Sequence, residues 1–190
     1  MHFFLHQRKQ DTMKEVQLND KRFRINIAGD NILKEVKRIA SEINLDLADK
    51  KPLFIVVLNG AFMFASDLMK NIDIDCEISF VKLASYQGTK STEKVKELIG
   101  LNEDLTNRHI VVVEDIVDTG ITMEGIIADL HEKNVAEVRI ATLLFKPNAF
   151  QKDYKVDYIG IEIPNDFIVG YGLDYDGLGR NLQDIYKIID

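Results

Sequence analysis

One cysteine, three prolines and no tryptophan occur in 190 residues, and the chain is also short of positive charge. A lone Cys76 cannot close an internal disulfide, which fits a reducing cytoplasm, and within its apolar-alternating segment it is expected to be a buried, inert strand residue. With 24 Lys and Arg against 31 Asp and Glu, the formal net charge is −7 and the pI is near 5.2. Such a balance argues against a protein that grips nucleic acid through a broad basic face, because phosphate contacts need clustered Lys and Arg. No apolar run approaches a membrane span, so no membrane partner is expected. The opening Met1-His-Phe-Phe-Leu5 is too short for a secretion signal, and its basic residues follow it rather than precede it. Also missing are the two best-known phosphate loops, G-x-x-x-x-G-K-[ST] and G-x-G-x-x-G after a strand.

Residues 1–12 show no core periodicity and are expected to be a disordered extension. His2 and His6 have helical ligand spacing there, yet no acid or thiol neighbour completes a metal site. Residues 13–190 are expected to form a single domain, since no repeat or low-complexity tract divides them and a hydrophobic content of 46% supports one sizeable core.

What the chain does have is an alternation of strand-like and helix-like segments. Asp30 is placed to cap a helix whose apolar face is Ile32, Leu33, Val36, Ile39, Ala40 and Ile43. The continuous apolar run Leu53-Phe-Ile-Val-Val-Leu58 suits a parallel strand covered on both faces. A helix over 61–72, a strand over 76–83, a strand over 110–115 with a helix behind it, and a strand over 138–145 complete the series. The expected class is α/β, a mainly parallel twisted sheet flanked by helices. Ligands of such sheets bind beyond the C-terminal strand ends. Leu58, Asp115 and Phe145 are each expected to close a strand, so the loops after them should converge on one site. Residues 84–96 are polar and contain Gly88, as in a long mobile loop. Residues 164–175 mix aromatics, glycines and acids without helical spacing, which suggests a small irregular lobe or flap.

The most specific string is Val111-Val-Val-Glu-Asp-Ile-Val-Asp-Thr-Gly-Ile-Thr-Met123. A β-branched run meets a pair of acids, then a short loop with two threonines and a glycine, and helical spacing resumes at Met123. A loop so placed lies at a helix N-terminus, where free N–H groups and the dipole favour a phosphate. Thr119 and Thr122 add hydroxyl donors, Gly120 permits a tight turn, and Glu114 and Asp115 are acceptors suited to a sugar diol. A lone Asp-Thr-Gly would fit an ordinary capped turn equally well.

The full string resembles the phosphoribosyl pyrophosphate motif of type I phosphoribosyltransferases. Further segments in family order, over nearly the whole chain from about Met13, resemble the hypoxanthine-guanine phosphoribosyltransferases. That resemblance implies the family's fold, with a small hood lobe and a flexible loop over the active site. It implies transfer of the phosphoribosyl group of phosphoribosyl pyrophosphate to N9 of hypoxanthine or guanine, giving IMP or GMP and pyrophosphate, with Mg2+ as cofactor. A cytoplasmic homodimer or homotetramer is implied as well.

By the same resemblance, Glu114 and Asp115 hold the ribose diol, and Asp118, Thr119, Gly120, Ile121 and Thr122 hold the 5-phosphate. Asp118 is also the carboxylate that exchanges a proton with purine N7. Leu58, Asn59 and Gly60 match a pyrophosphate loop in which a cis peptide is common, with Arg180 beside it. The family commonly carries Lys or Arg where Asn59 stands, so one side-chain charge is missing. Lys146 matches the donor to the purine 6-oxo group, Phe167 the ring that stacks on the base, and Ile168 the backbone that reads its edge. Ser85 and Tyr86 match the flexible loop, while Asp174, with Glu114 and Asp115, matches the metal-binding acids. His109 and His131 receive no catalytic role.

Overall fold

The computed structural model describes residues 15–84, 96–99 and 103–189. The extension at 1–12 and the loop residues Ser85 and Tyr86 therefore lie outside the described residues. In chain order the elements are β1 (Glu15–Leu18), β2 (Lys21–Ile27), α1 (Gly29–Asp46), β3 (Leu53–Leu58), α2 (Phe62–Met69), β4 (Glu77–Ala84), β5 (Lys96–Ile99), β6 (His109–Val117), α3 (Ile121–Glu132), β7 (Glu137–Phe145), β8 (Tyr158–Glu162), β9 (Ile168–Val169) and β10 (Ile185–Ile188). They form a six-stranded sheet in the order β5-β4-β3-β6-β7-β8 and a four-stranded sheet in the order β1-β2-β10-β9. In the larger sheet β4, β3, β6, β7 and β8 run parallel, and β5 pairs antiparallel at the edge. The smaller sheet is antiparallel throughout.

The apolar runs explain the layering. Side chains alternate across a strand, so β3 sends Phe54 and Val56 to one face and Leu53, Ile55 and Val57 to the other. The first face packs on Ile32, Val36, Ile39 and Ile43 of α1 and Phe64 and Leu68 of α2. The second packs with Ile110 and Val112 of β6 on Met123, Ile126 and Leu130 of α3. Each aliphatic side chain removed from water here contributes about 1.5–3 kcal/mol before conformational entropy is set against it. No helix among the described residues is long and apolar enough to cross a membrane.

Several boundaries differ from the sequence expectation. Asp30 does not cap α1: the N-cap is Ala28, which makes no side-chain capping bond, and Asp30 sits inside the first turn. The Gly29 N–H instead donates to Asp184 Oδ1 at 2.8 Å, an acceptor 155 residues away in sequence. Asp184 arrives there because β10 pairs with β2, the strand that leads into α1. Leu33, expected in the apolar face, is exposed. The second helix is shorter than 61–72, ending at Met69. Asp115 does not close its strand, because Ile116 and Val117 continue the ladder opposite Leu144 and Phe145. Cys76 precedes β4 and is only half-buried. Burial and the charge of Asp75 still raise its thiol pKa, which keeps it a poor nucleophile.

Asp184 generates a stability prediction. Asp184→Ala removes an acceptor and a negative charge from the N-terminus of α1, and is expected to cost about 1–2 kcal/mol, a fall in Tm of roughly 2–8 °C. Asp184→Asn keeps the acceptor and recovers most of that loss. Thermal melts of the three proteins check it.

Candidate active site

Three loops meet where the parallel strands end. At the end of β3 the Leu58–Asn59 peptide is cis, as the resemblance implied for this loop. Gly60 follows, and a Cβ there would lie 1.5 Å from Asp115 Oδ2, so no other residue fits without moving the carboxylate. From the opposite side a Cβ on Gly172 would lie 2.0 Å from the Gly60 carbonyl oxygen. The β3 loop is thus in contact with a β6 acid and with the loop after β9.

Glu114 is buried and Asp115 partly so. Glu114 Oε1 accepts the Asp115 N–H at 3.2 Å, and Asp115 Oδ1 accepts the Ile116 N–H at 2.8 Å. Burial, then the neighbouring charge of Asp115, pushes the Glu114 pKa well up. Burial also raises Asp115, against its hydrogen bonds and the charge of Arg180. Two acceptor-rich groups are therefore held close together with little solvent to stabilise their charge.

Beyond β6 the chain turns through Asp118 and Thr119 to Gly120, the N-cap of α3, at φ +84. A Cβ on Gly120 would collide with Phe150, Tyr154 and Lys152, and left-handed backbone favours glycine in any case. The Tyr154 hydroxyl donates to the Gly120 carbonyl at 2.9 Å, and the Gln151 N–H donates to the Thr119 carbonyl at 3.3 Å. The segment after β7 thereby braces the loop from behind. Ile121 and Thr122 open α3 on its exposed side, where the dipole and free N–H groups make an anion seat. Lys146, just past β7, reaches back so that its Nζ lies 2.8 Å from Asp118 Oδ2.

β9 of the smaller sheet and the segments on either side of it supply the remaining groups. Phe167 is 48% exposed, and its ring packs with Phe23 at 6.3 Å and Tyr175 at 5.9 Å. Ile168 is buried in β9. Asp174 Oδ1 lies 2.5 Å from Arg180, while its Oδ2 accepts the Gly177 N–H at 2.7 Å. Arg180 also donates to the Gly172 carbonyl at 2.7 Å.

The phosphoribosyl transferase domain profile matches residues 27–176. The chain belongs to the phosphoribosyl transferase family. It is 38% identical over 160 residues to the hypoxanthine-guanine phosphoribosyltransferase of Bacillus subtilis, covering 84% of this chain and 89% of that protein. It is 36% identical over 174 residues to the hypoxanthine-guanine-xanthine phosphoribosyltransferase of Tritrichomonas foetus, covering 91% and 95%. A crystal structure of a hypoxanthine-guanine phosphoribosyltransferase from Bacillus anthracis superposes with a TM-score of 0.81 at 34% identity, covering 87% of this chain and 96% of that one. The chain is thus a phosphoribosyltransferase enzyme with the fold of that family.

In this phosphoribosyltransferase the structure brings together Glu114 with Asp115, Asp118 with Lys146, Gly60 with Asp115, and Asp174 with Arg180. Ile168 stands in β9 of the smaller sheet with Phe167 directly before it, and the segment that follows is joined to the rest through the contact of Gly172 with Gly60. Sequence reasoning missed Gly172, Tyr154 and Asp184. A signal existed for the first: Gly170, Gly172, Gly177 and Gly179 all adopt positive φ, and their density marks a tightly turned segment. Nothing local marks the other two, which act across the fold.

No group of three or more His, Cys, Asp or Glu among the described residues is arranged to hold a metal by itself. Glu114, Asp115 and Asp174 are nonetheless hard oxygen donors. Such a set suits Mg2+, which is usually bound through one or two carboxylates plus substrate phosphates and waters.

The raised pKa of Glu114 sets the sign of a pH effect. Its folded pKa exceeds the ordinary value of 4.5, so the acid binds its proton more tightly folded than unfolded, and stability falls as pH rises between those values. Glu114→Gln removes that penalty and leaves an amide able to donate to Asp115. At pH 7.5 the variant is expected to melt above the parent, and the gap should close as the pH is lowered towards 4.5 in matched thermal melts.

Proposed function

We propose that this phosphoribosyltransferase carries out purine salvage, transferring the phosphoribosyl group of phosphoribosyl pyrophosphate to N9 of hypoxanthine or guanine and releasing pyrophosphate. The observation that carries the reading is the Lys146–Asp118 pair, 2.8 Å apart at the mouth of the phosphate cradle. A 6-oxopurine whose N9 is free to attack presents O6 as an acceptor and N7–H as a donor side by side on one edge. An ammonium donates to O6, and a carboxylate beside it exchanges a proton at N7, so the two side chains match that edge in chemistry and in spacing. The names carried by the relatives at 36–41% identity support hypoxanthine and guanine, and that of the Tritrichomonas foetus protein adds xanthine.

The other roles follow in order along the substrate. The 5-phosphate sits on the loop from Asp118 through Thr119, Gly120, Ile121 and Thr122. Glu114 and Asp115 accept hydrogen bonds from the ribose diol. The amides around Leu58, Asn59 and Gly60, together with Arg180, take the pyrophosphate; with Asn59 in place of a cation, Arg180 supplies the side-chain charge. Phe167 stacks on the base, and the backbone at Ile168 reads its far edge. Glu114, Asp115 and Asp174 would hold Mg2+, which when bound neutralises charge on the phosphates.

As pyrophosphate leaves C1, positive charge grows on the ribose ring beside Glu114 and Asp115. N9 attacks from the opposite face as the bond from C1 to pyrophosphate breaks, and the N7 proton passes to the Asp118 carboxylate, which leaves the purine neutral. No covalent intermediate is required. The assembly we expect is a homodimer or homotetramer.

A panel of four bases tests the function. Lys146 has donors only, so adenine's 6-amino group would set donor against donor and leave an ammonium N–H without an acceptor. Adenine kcat/KM is expected to be lower than that of hypoxanthine by about 10⁴-fold or more. Hypoxanthine and guanine should be comparable and xanthine poor. Adenine within tenfold of hypoxanthine would overturn the role of Lys146, while a preference for xanthine would overturn only the reading at Ile168.

Asp118 is tested separately. Asp118→Asn is expected to lower kcat by roughly 10²- to 10⁴-fold while affinity for phosphoribosyl pyrophosphate falls much less. Single-turnover rates alongside calorimetric binding separate the two effects.

A further inference from the structure

Tyr171 occupies a place where glycine would be usual. Its φ is +48, and it lies between Gly170 at +100 and Gly172 at +102. Left-handed backbone is unfavourable for a bulky side chain and persists only where surrounding contacts over-determine it. Here the ring is buried, and its hydroxyl donates to Asp67 Oδ2 at 2.6 Å. The Tyr171 N–H donates to the Leu182 carbonyl at 2.8 Å. Burial and the negative charge of Asp67 both raise the phenol pKa, so the group remains a donor at any working pH. Asp67 lies on α2, the helix that begins directly after the β3 loop.

The consequence lies one residue further on. Gly172 packs on the Gly60 carbonyl so closely that a Cβ would not fit. The Gly172 N–H donates to the Arg180 carbonyl at 3.0 Å, and the Arg180 guanidinium donates back to the Gly172 carbonyl at 2.7 Å. One residue with a costly backbone conformation, clamped to α2, is therefore followed by the residue that touches both the β3 loop and Arg180.

We propose that Tyr171, gripped by Asp67, is a positioning residue that sets the Gly170–Gly172 turn against Gly60 and so aligns Arg180 with the β3 loop as one pyrophosphate-binding unit. The inference rests on reading that loop and Arg180 as the pyrophosphate site. Tyr171 touches no substrate and acts only through Gly172.

The test uses the full chain and four variants: Tyr171→Phe, Asp67→Ala, Asp67→Asn and Lys70→Ala. Calorimetry measures affinity for pyrophosphate with Mg2+ and, separately, for IMP, which needs the phosphate cradle and base contacts but not the β3 loop. Tyr171→Phe is expected to weaken pyrophosphate about tenfold, the scale of a lost hydrogen bond to a charged group, and to leave IMP within about twofold. Asp67→Ala cuts the same bond from the helix side and should give the same loss, so either variant decides the matter if the other folds poorly. Asp67→Asn keeps an acceptor and should retain affinity. Lys70, the other partner of the Asp67 carboxylate at 2.8 Å, should be dispensable. Unchanged pyrophosphate affinity in both Tyr171→Phe and Asp67→Ala would overturn the proposal. Equal losses for pyrophosphate and IMP would also overturn it, since that pattern is general destabilisation. A parent protein that binds IMP but no pyrophosphate would instead overturn the site reading underneath, and the proposal with it.

Discussion

Gly60 meets protein at two points: the Asp115 carboxylate fills the place where a side chain would begin, and Gly172 lies against its carbonyl oxygen. Interiors are packed near crystal density, so a contact this close leaves each neighbour one place to stand. The β6 acids are thereby set against the β3 loop, and the turn after β9 is set against both. Arg180 follows because it exchanges hydrogen bonds with Gly172. Groups from four separate stretches of chain thus share one origin of coordinates.

The parallel sheet makes that contact possible. β3 and β6 are adjacent and in register from Leu53 opposite Ile110 to Val56 opposite Val113, so their C-terminal ends emerge at the same edge. Helices on both faces bury the strands and leave that edge as the place where polar groups can gather. Glu114 and Asp115 carry the cost of this arrangement. Their pKa values are raised by burial, which weakens the fold at neutral pH while it keeps two oxygen acceptors side by side at the strand edge. Opposing tendencies of this kind are common where stability and binding compete.

The Lys146–Asp118 pair shows a related economy. Each ion satisfies the other, so neither side chain must stand unpaired before a base arrives. The brace from Gln151 and Tyr154 to the carbonyls of Thr119 and Gly120 links the same segment to the phosphate cradle. The partner of Asp118 and the brace of the Thr119–Gly120 turn therefore come from one stretch of backbone, residues 146–154, rather than from two independent loops.

The sequence by itself determined the elements whose signals are local. The run Leu53–Leu58 is a fully apolar strand, α1 has its apolar positions at helical spacing, and the string from Val111 to Met123 carries strand, acids, phosphate loop and helix start in order. Periodicity and turn chemistry act over a few residues, so they can be read without knowing what packs where. The tertiary structure alone decided the rest. β1 and β2 form a local hairpin, but β2 also pairs with β10 from the far end of the chain, and β9 and β10 are too short for a pattern that announces them. The N-terminus of α1 is satisfied by Asp184 instead of the nearby Asp30, and Tyr171 finds Asp67 across 104 residues. Hydrogen-bond partners and close backbone contacts of this kind depend on distances that exist only after the sheets have formed, because chain separation says nothing about which side chains a folded interior will bring within 3 Å.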